Sequence, residues 1–177
     1  MIKILDNFFD KDDYDKIIYH VKNKIYFTPR FFNGTTEKTK DNYYGDRFAL
    51  KNDNILHSCF IKQAEKKFKL KIHKTFDDGI DLRNLDKFDP HIDGDSISNI
   101  LVMLDGPIGV TTGTVFYTDN QLDMHVGFRP NRAIMFPSNL LHSAHKSDTE
   151  NLKRYTATLF LVEYEELIKW IFFFSFW

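Results

Sequence analysis

The sequence predicts an α+β, mainly β protein: an antiparallel sandwich or barrel with helices packed outside it on the N-terminal side. Three observations carry this expectation. Two amphipathic helical stripes precede residue 69, short strand-like runs follow it, and turn residues punctuate those runs.

Asp10 is placed to cap a first helix, in which Tyr14, Ile17, Ile18, Val21 and Ile25 recur at the three-and-four spacing of one apolar face. A second helix is expected after Asn52-Asp53-Asn54, where Leu56, Phe60, Ile61, Ala64 and Phe68 form another stripe, with Lys66-Lys67 beside Glu65 on its solvated side. Residues 28–54 between the stripes carry Gly, Asn, Thr and Tyr without a period and read as loop. Beyond them Phe68, Leu70 and Ile72 alternate with Lys, and strand-like runs follow at 100–104, 115–118, 133–136 and 155–164. Asp105-Gly106-Pro107 and Pro130-Asn131 supply turns between runs.

Composition narrows the function classes. A chain of 177 residues fits one domain, 1–177, and its 18 Phe can fill a core large enough to surround a buried site. The net charge of −1 offers no field for phosphate backbones or anionic lipid, so no nucleic acid partner is expected. Cys59 is the single cysteine, which excludes an intramolecular disulfide and any multi-Cys zinc site and suits a reducing, cytoplasmic location. Asp6 interrupts the apolar run that a signal peptide would need. The apolar tail at 171–177 is too short to span a bilayer, so no membrane span is expected, and a packed tail or a homodimer contact is the reading it supports. Phosphate-loop, nucleophile-elbow and dinucleotide glycine patterns do not occur in the sequence.

The segment Asp89-Pro90-His91-Ile92-Asp93-Gly94 is the most informative. In an extended chain, side chains two positions apart share a face, so His91 and Asp93 converge. Two His and one carboxylate on one side of a metal are the usual open iron(II) site of oxygenases. His142, beyond the turn Pro137-Ser138-Asn139, is the candidate third ligand; His145 lies in the same stretch and faces the opposite way if that stretch is extended. Arg154 and Thr156 share a face by the same period. His125 reads as a packed or surface imidazole.

Taken in order, these residues resemble the 2-oxoglutarate and iron(II)-dependent dioxygenase superfamily, in particular its prolyl-hydroxylase-like branch. His91-Ile92-Asp93 looks like the family's His-X-Asp motif, and Gly113-Thr114-Val115-Phe116-Tyr117 is similar to the glycine-led strand that follows it. The run from Arg129 to Ser138 resembles the approach to the distal His, and Arg154-Tyr155-Thr156 resembles the Arg-X-Ser/Thr element. The chain departs from the pattern where Ser143-Ala144-His145 follows His142 in place of a larger hydrophobic residue, and where Lys153 adjoins Arg154.

The resemblance implies a double-stranded β-helix, a jelly-roll or cupin-like barrel, with the N-terminal helices flanking it. It implies iron(II) on His91, Asp93 and His142, 2-oxoglutarate held by Arg154 with Thr156, and dioxygen as co-substrate. The interval from His142 to Arg154 matches that of similar enzymes and favours His142 over His145. Asn99 is a further co-substrate-binding candidate, at an even separation from Asp93 if the strand continues unbroken. The activity implied is hydroxylation of a peptidyl proline, an amino acid or a small metabolite, coupled to oxidative decarboxylation of 2-oxoglutarate. Asp93 favours hydroxylation over halogenation, because halogenating relatives lack that carboxylate. The alternative is a β-barrel module that binds metal or ligand without turnover.

Overall fold

The computed structural model describes residues 1–31, 43–84, 89–145 and 153–167. The tail at 171–177, and with it the expected dimer contact, lies outside the described residues.

The two expected helices are present as α1 (Lys11–Asn23) and α2 (Asn54–Phe68). Asp53 caps α2, its carboxylate accepting the Leu56 N–H at 2.9 Å, which satisfies one of the donors a helix start leaves open. Asp10 stands at the start of α1 without a side-chain cap bond. Ile17 and Val21 of α1, and Leu56, Phe60, Ala64 and Phe68 of α2, are buried as their spacing requires.

Eleven strands are described: β1 (Lys3–Leu5), β2 (Thr28–Phe31), β3 (Tyr43–Ala49), β4 (Leu70–Thr75), β5 (Gly79–Asn84), β6 (Ser98–Asp105), β7 (Gly109–Thr118), β8 (Gln121–Phe128), β9 (Arg132–Pro137), β10 (His142–Ala144) and β11 (Lys153–Glu166). The large sheet runs β1-β9-β6-β11-β5-β3-β2, with β4 paired to the far half of β11, and the small sheet runs β10-β7-β8. Every pairing is antiparallel.

The stretch read as loop therefore holds two strands, β2 and β3, and the reading is corrected there; 32–42 lie outside the described residues. These strands show no apolar alternation because they are ordered by pairing, β3 to β5 and β2 to β3, while their inward side chains include Arg30 and Arg47. Tertiary hydrogen bonding outweighs weak local preference there.

A bridge between His91 and His142 adds a fourth member to the small sheet. In chain order, β5, the His91 segment, β6, β7, β8, β9, β10 and β11 make eight segments that cross from one sheet to the other at every step except the β7–β8 hairpin, which stays within the small sheet. The large sheet contains β5-β11-β6-β9, and the small sheet contains His91-β10-β7-β8. That winding is a jelly roll, which solves the edge problem of an antiparallel sheet by folding it into two layers.

Each face of the large sheet has its own filling. Ile100, Val102, Leu104, Ala157, Leu159 and Leu161 point out and pack under α1 and α2 with Phe8, Phe9 and Phe60. Asn131, in the left-handed conformation (φ 64°), ties the N-terminal segment to this layer by bonding both the N–H and the C=O of Phe9, at 2.8 and 2.9 Å. The opposite face meets the small sheet through Met103, Phe116, Val126, Phe128, Ile134 and Phe136. The inter-sheet space not taken by these six side chains is a cavity of about 480 Å³. No helix among the described residues is long and apolar enough to cross a membrane.

Candidate metal and co-substrate site

His91 and His142 lie directly opposite each other and exchange both backbone hydrogen bonds, at 2.9 and 3.0 Å. Side chains of such a pair project to the same side, and the two rings stand with centroids 4.4 Å apart. Asp93 follows after one residue, and its N–H is held by the Ser138 carbonyl at 2.9 Å. Ligand atoms of His91, Asp93 and His142 all lie within 4.8 Å of one another.

The tautomers follow from the partners. The Nδ1 of His91 faces the Asp89 carbonyl at 3.0 Å, and that of His142 faces the Leu140 carbonyl at 2.9 Å. A carbonyl only accepts, so each Nδ1 carries a proton, and Nε2 is the nitrogen of each ring left to turn a lone pair toward a metal. Those Nε2 atoms lie 3.8 and 3.4 Å from the Asp93 carboxylate oxygens. Burial, and then the neighbouring His91, push the His142 pKa below its ordinary 6.5, which keeps that ring in its ligating form. Two lone pairs and a carboxylate facing one point repel one another unless a cation sits between them, so this donor set fits a divalent metal.

Asn99 is fully buried and donates to Asp93 Oδ2 at 2.5 Å, while Ser96 Oγ donates to Asn99 Oδ1 at 2.8 Å. The strand does not run unbroken from Asp93 to Asn99, since a turn at 94–95 intervenes; Asn99 reaches Asp93 from β6. The structure thus sets Asn99 against the candidate metal ligand. His145 stands apart from the triad, its ring 4.7 Å from that of His125, and His125 Nε2 in turn faces the Thr112 carbonyl at 2.9 Å.

Arg154, Thr156, Thr158 and Phe160 line the same cavity from β11, while the residues between them face the helices. Arg154 donates to the Gly113 carbonyl at 2.8 Å. Its Nε and the Oγ1 of Thr114 are buried without a hydrogen-bond partner, and both residues line the cavity. Buried polar atoms are rarely left so, and a carboxylate would satisfy both groups. Burial, and then the charge of Arg83, bring the Arg154 pKa down to about 9, so it stays cationic near neutrality.

Sequence reasoning missed Arg47, Asp81, Arg83 and Thr114, all of which line this cavity. Asp81 accepts from Arg47 at 2.8 Å and lies 3.3 Å from Arg83. The alternation Ile80-Asp81-Leu82-Arg83 is a legible strand signal, but its charged face reads as solvent-facing and is turned to a cavity instead.

No family model and no curated protein matches the sequence. Solved structures do match. They include SnoN, the non-heme alpha ketoglutarate dependent epimerase from nogalamycin biosynthesis, at TM-score 0.61 and 11% identity, over 91% of this chain and 78% of that one. A prolyl hydroxylase from Trichoplax adhaerens, in complex with a hypoxia inducible factor oxygen degradation domain peptide fragment, matches at TM-score 0.59 and 14% identity over 91% and 83%. HygX from Streptomyces hygroscopicus, with nickel and 2-oxoglutarate bound, matches at 0.62 and 9% over 91% and 82%. The jelly roll is thus the double-stranded β-helix fold that these solved structures share.

Proposed function

We propose that the chain is a single-domain iron(II)- and 2-oxoglutarate-dependent oxygenase that hydroxylates a small-molecule or peptide substrate. The observation that carries this reading is one cavity lined both by the convergent His91, Asp93 and His142 and by the buried cation Arg154. His91 Nε2, His142 Nε2 and one Asp93 oxygen would hold the metal from one side, leaving its other positions open. Arg154, with Thr156 and Thr114, would receive the distant carboxylate of 2-oxoglutarate through charge-assisted hydrogen bonds. Bound iron and 2-oxoglutarate supply the oxidation, drawing on dioxygen and releasing succinate and carbon dioxide.

The chain's own work is positioning. Asn99 and the Ser138 carbonyl orient Asp93, and the Leu140 and Asp89 carbonyls fix the two imidazoles. Phe136 packs edge-on against His142, with ring centroids 4.8 Å apart, and restricts water on that side. Asp93 supports hydroxylation over halogenation, because it fills the position a halide would need.

Incubation with iron(II), ascorbate, 2-oxoglutarate and a pool of peptides and metabolites tests the reading. Succinate formation matched by a one-oxygen mass gain in one pool member is the expected result. Binding of iron and 2-oxoglutarate with no succinate under any substrate pool would identify a ligand-binding barrel without turnover.

A further inference from the structure

Asn99 meets Asp93 through the NH2 end of its amide, because a carboxylate only accepts. The carbonyl end is thereby turned away from the metal ligand. It belongs to a side chain with no exposed surface and needs a donor, which the Ser96 hydroxyl supplies at 2.8 Å. The last torsion of an Asn side chain is broad, so an amide bonded at one end can rock about it. Bonded at both ends, it is fixed.

Ser96 is itself held from across the turn. Its carbonyl accepts from the hydroxyl of Ser138, the residue that follows β9. Ser138 is 1% exposed and turns its backbone to the same loop: its N–H donates to the Ile97 carbonyl at 3.2 Å, and its carbonyl accepts the Asp93 N–H at 2.9 Å. Donors therefore run one way around a closed circuit, from the Ser138 hydroxyl to Ser96, from the Ser96 hydroxyl to Asn99, from the Asn99 amide to the Asp93 carboxylate, and from the Asp93 N–H back to Ser138. The circuit ties the end of β9 to both arms of the turn at 94–95. Ser96 stands in it twice, as an acceptor through its carbonyl and as a donor through its hydroxyl.

We infer that Ser96 is a positioning residue of the metal site, acting on Asp93 through Asn99, and that the Ser138 hydroxyl supports it in that role. This rests on the function proposed above and extends the site to two serine hydroxyls, one bonded to Asn99 and the other to the Ser96 carbonyl. Linked hydrogen bonds polarise and orient one another, so loss of the Ser96 link is felt at the carboxylate where the circuit ends. A Ser96 that merely closed the turn would, when truncated, lower stability and leave metal affinity alone.

The test is a double-mutant cycle read by anaerobic calorimetry of Mn(II) binding. Ser96→Ala is expected to weaken Mn(II) about three- to tenfold in an otherwise wild-type chain, the worth of one neutral hydrogen bond. In the Asn99→Ala background the group it acts through is gone, and the same substitution is expected to change affinity by less than about twofold. Unchanged affinity in Ser96→Ala, or an equal loss in both backgrounds, overturns the inference.

If Ser96→Ala does not fold, Ser138→Ala carries the same cycle: a loss confined to the chain that keeps Asn99 supports the inference, and an unchanged affinity or an equal loss in both backgrounds overturns it. A wild-type chain that binds no Mn(II) overturns the proposed function instead. Hydrogen exchange of the Asn99 side-chain amide in the metal-free chain then decides the inference, which faster exchange in the serine variant supports and unchanged exchange overturns.

Discussion

Asn99 donates its Nδ2–H to the Asp93 carboxylate at 2.5 Å while its own oxygen accepts from Ser96, so an uncharged side chain with no exposed surface fixes one member of the triad. Groups that orient a metal ligand typically contribute about 10- to 100-fold to affinity or activity. Asn99→Ala is expected to weaken Mn(II) or iron(II) binding by about that factor with the secondary structure unchanged. Anaerobic calorimetry beside circular dichroism checks it, and unchanged affinity would remove Asn99 from the site.

The two imidazoles after the Pro137 turn divide in the same way. His142 is joined to His91 by a reciprocal backbone pair and points inward, whereas His145, three positions on, stacks near His125. His142→Ala is expected to abolish iron(II) binding and His145→Ala to retain it. The reverse pattern in metal titrations would move the ligand role to His145.

How much of this was legible follows from what each segment buries. Both helices show in the sequence because one side of each packs on the sheet, and 100–104 and 133–136 show because β6 and β9 are apolar on both faces. Candidate ligands show through period two, and His91 and Asp93 do converge. β2 and β3 fall in a stretch that reads as loop, and β5 has no reading at all, because their inward residues are charged, and a charged face normally signals solvent. Thr114 belongs to the glycine-led strand, and nothing in a lone Thr distinguishes a cavity wall from a packed core. The Asn99–Asp93 contact crosses a turn that strand parity does not describe.

Asp81 links stability to the arginines that line the cavity. Burial raises its pKa, but Arg83 and Arg47 outweigh burial and leave the carboxyl below its ordinary 3.8. Because the folded-state value is depressed, the stabilisation is complete above the ordinary carboxylate range and is lost as pH falls through the depressed value. Asp81→Asn removes the buried charged partner of Arg47, and breaking comparable buried pairs costs about 3–5 kcal/mol. Urea unfolding at neutral pH should register that loss. The variant should also show a shallower fall in stability than wild type as pH drops below the ordinary carboxylate range, since it lacks the titrating group.

The last prediction concerns Gly113, where fold and site meet in one peptide. Its φ of 127° lies where side chains are rarely tolerated, and an added Cβ would stand 2.1 Å from the Val126 carbonyl oxygen, inside any allowed contact. The clash is with the backbone of the paired strand β8, so rotation of a side chain does not relieve it. The Gly113 carbonyl also accepts from Arg154 at 2.8 Å, and Thr114, whose Oγ1 is buried without a partner, is the next residue. Displacing this peptide therefore shifts both groups proposed to receive the 2-oxoglutarate carboxylate. Gly113→Ala is expected to destabilise the chain by at least about 1–3 kcal/mol, the usual cost of such backbone strain. It should also weaken 2-oxoglutarate binding while leaving metal affinity nearly intact, because His91, Asp93 and His142 are fixed by Asn99, Ser138 and each other. Urea titration and paired calorimetric titrations of Mn(II) and 2-oxoglutarate check it. Equal weakening of both ligands would mean that the strand pair collapses as a unit rather than shifting at the Arg154 end.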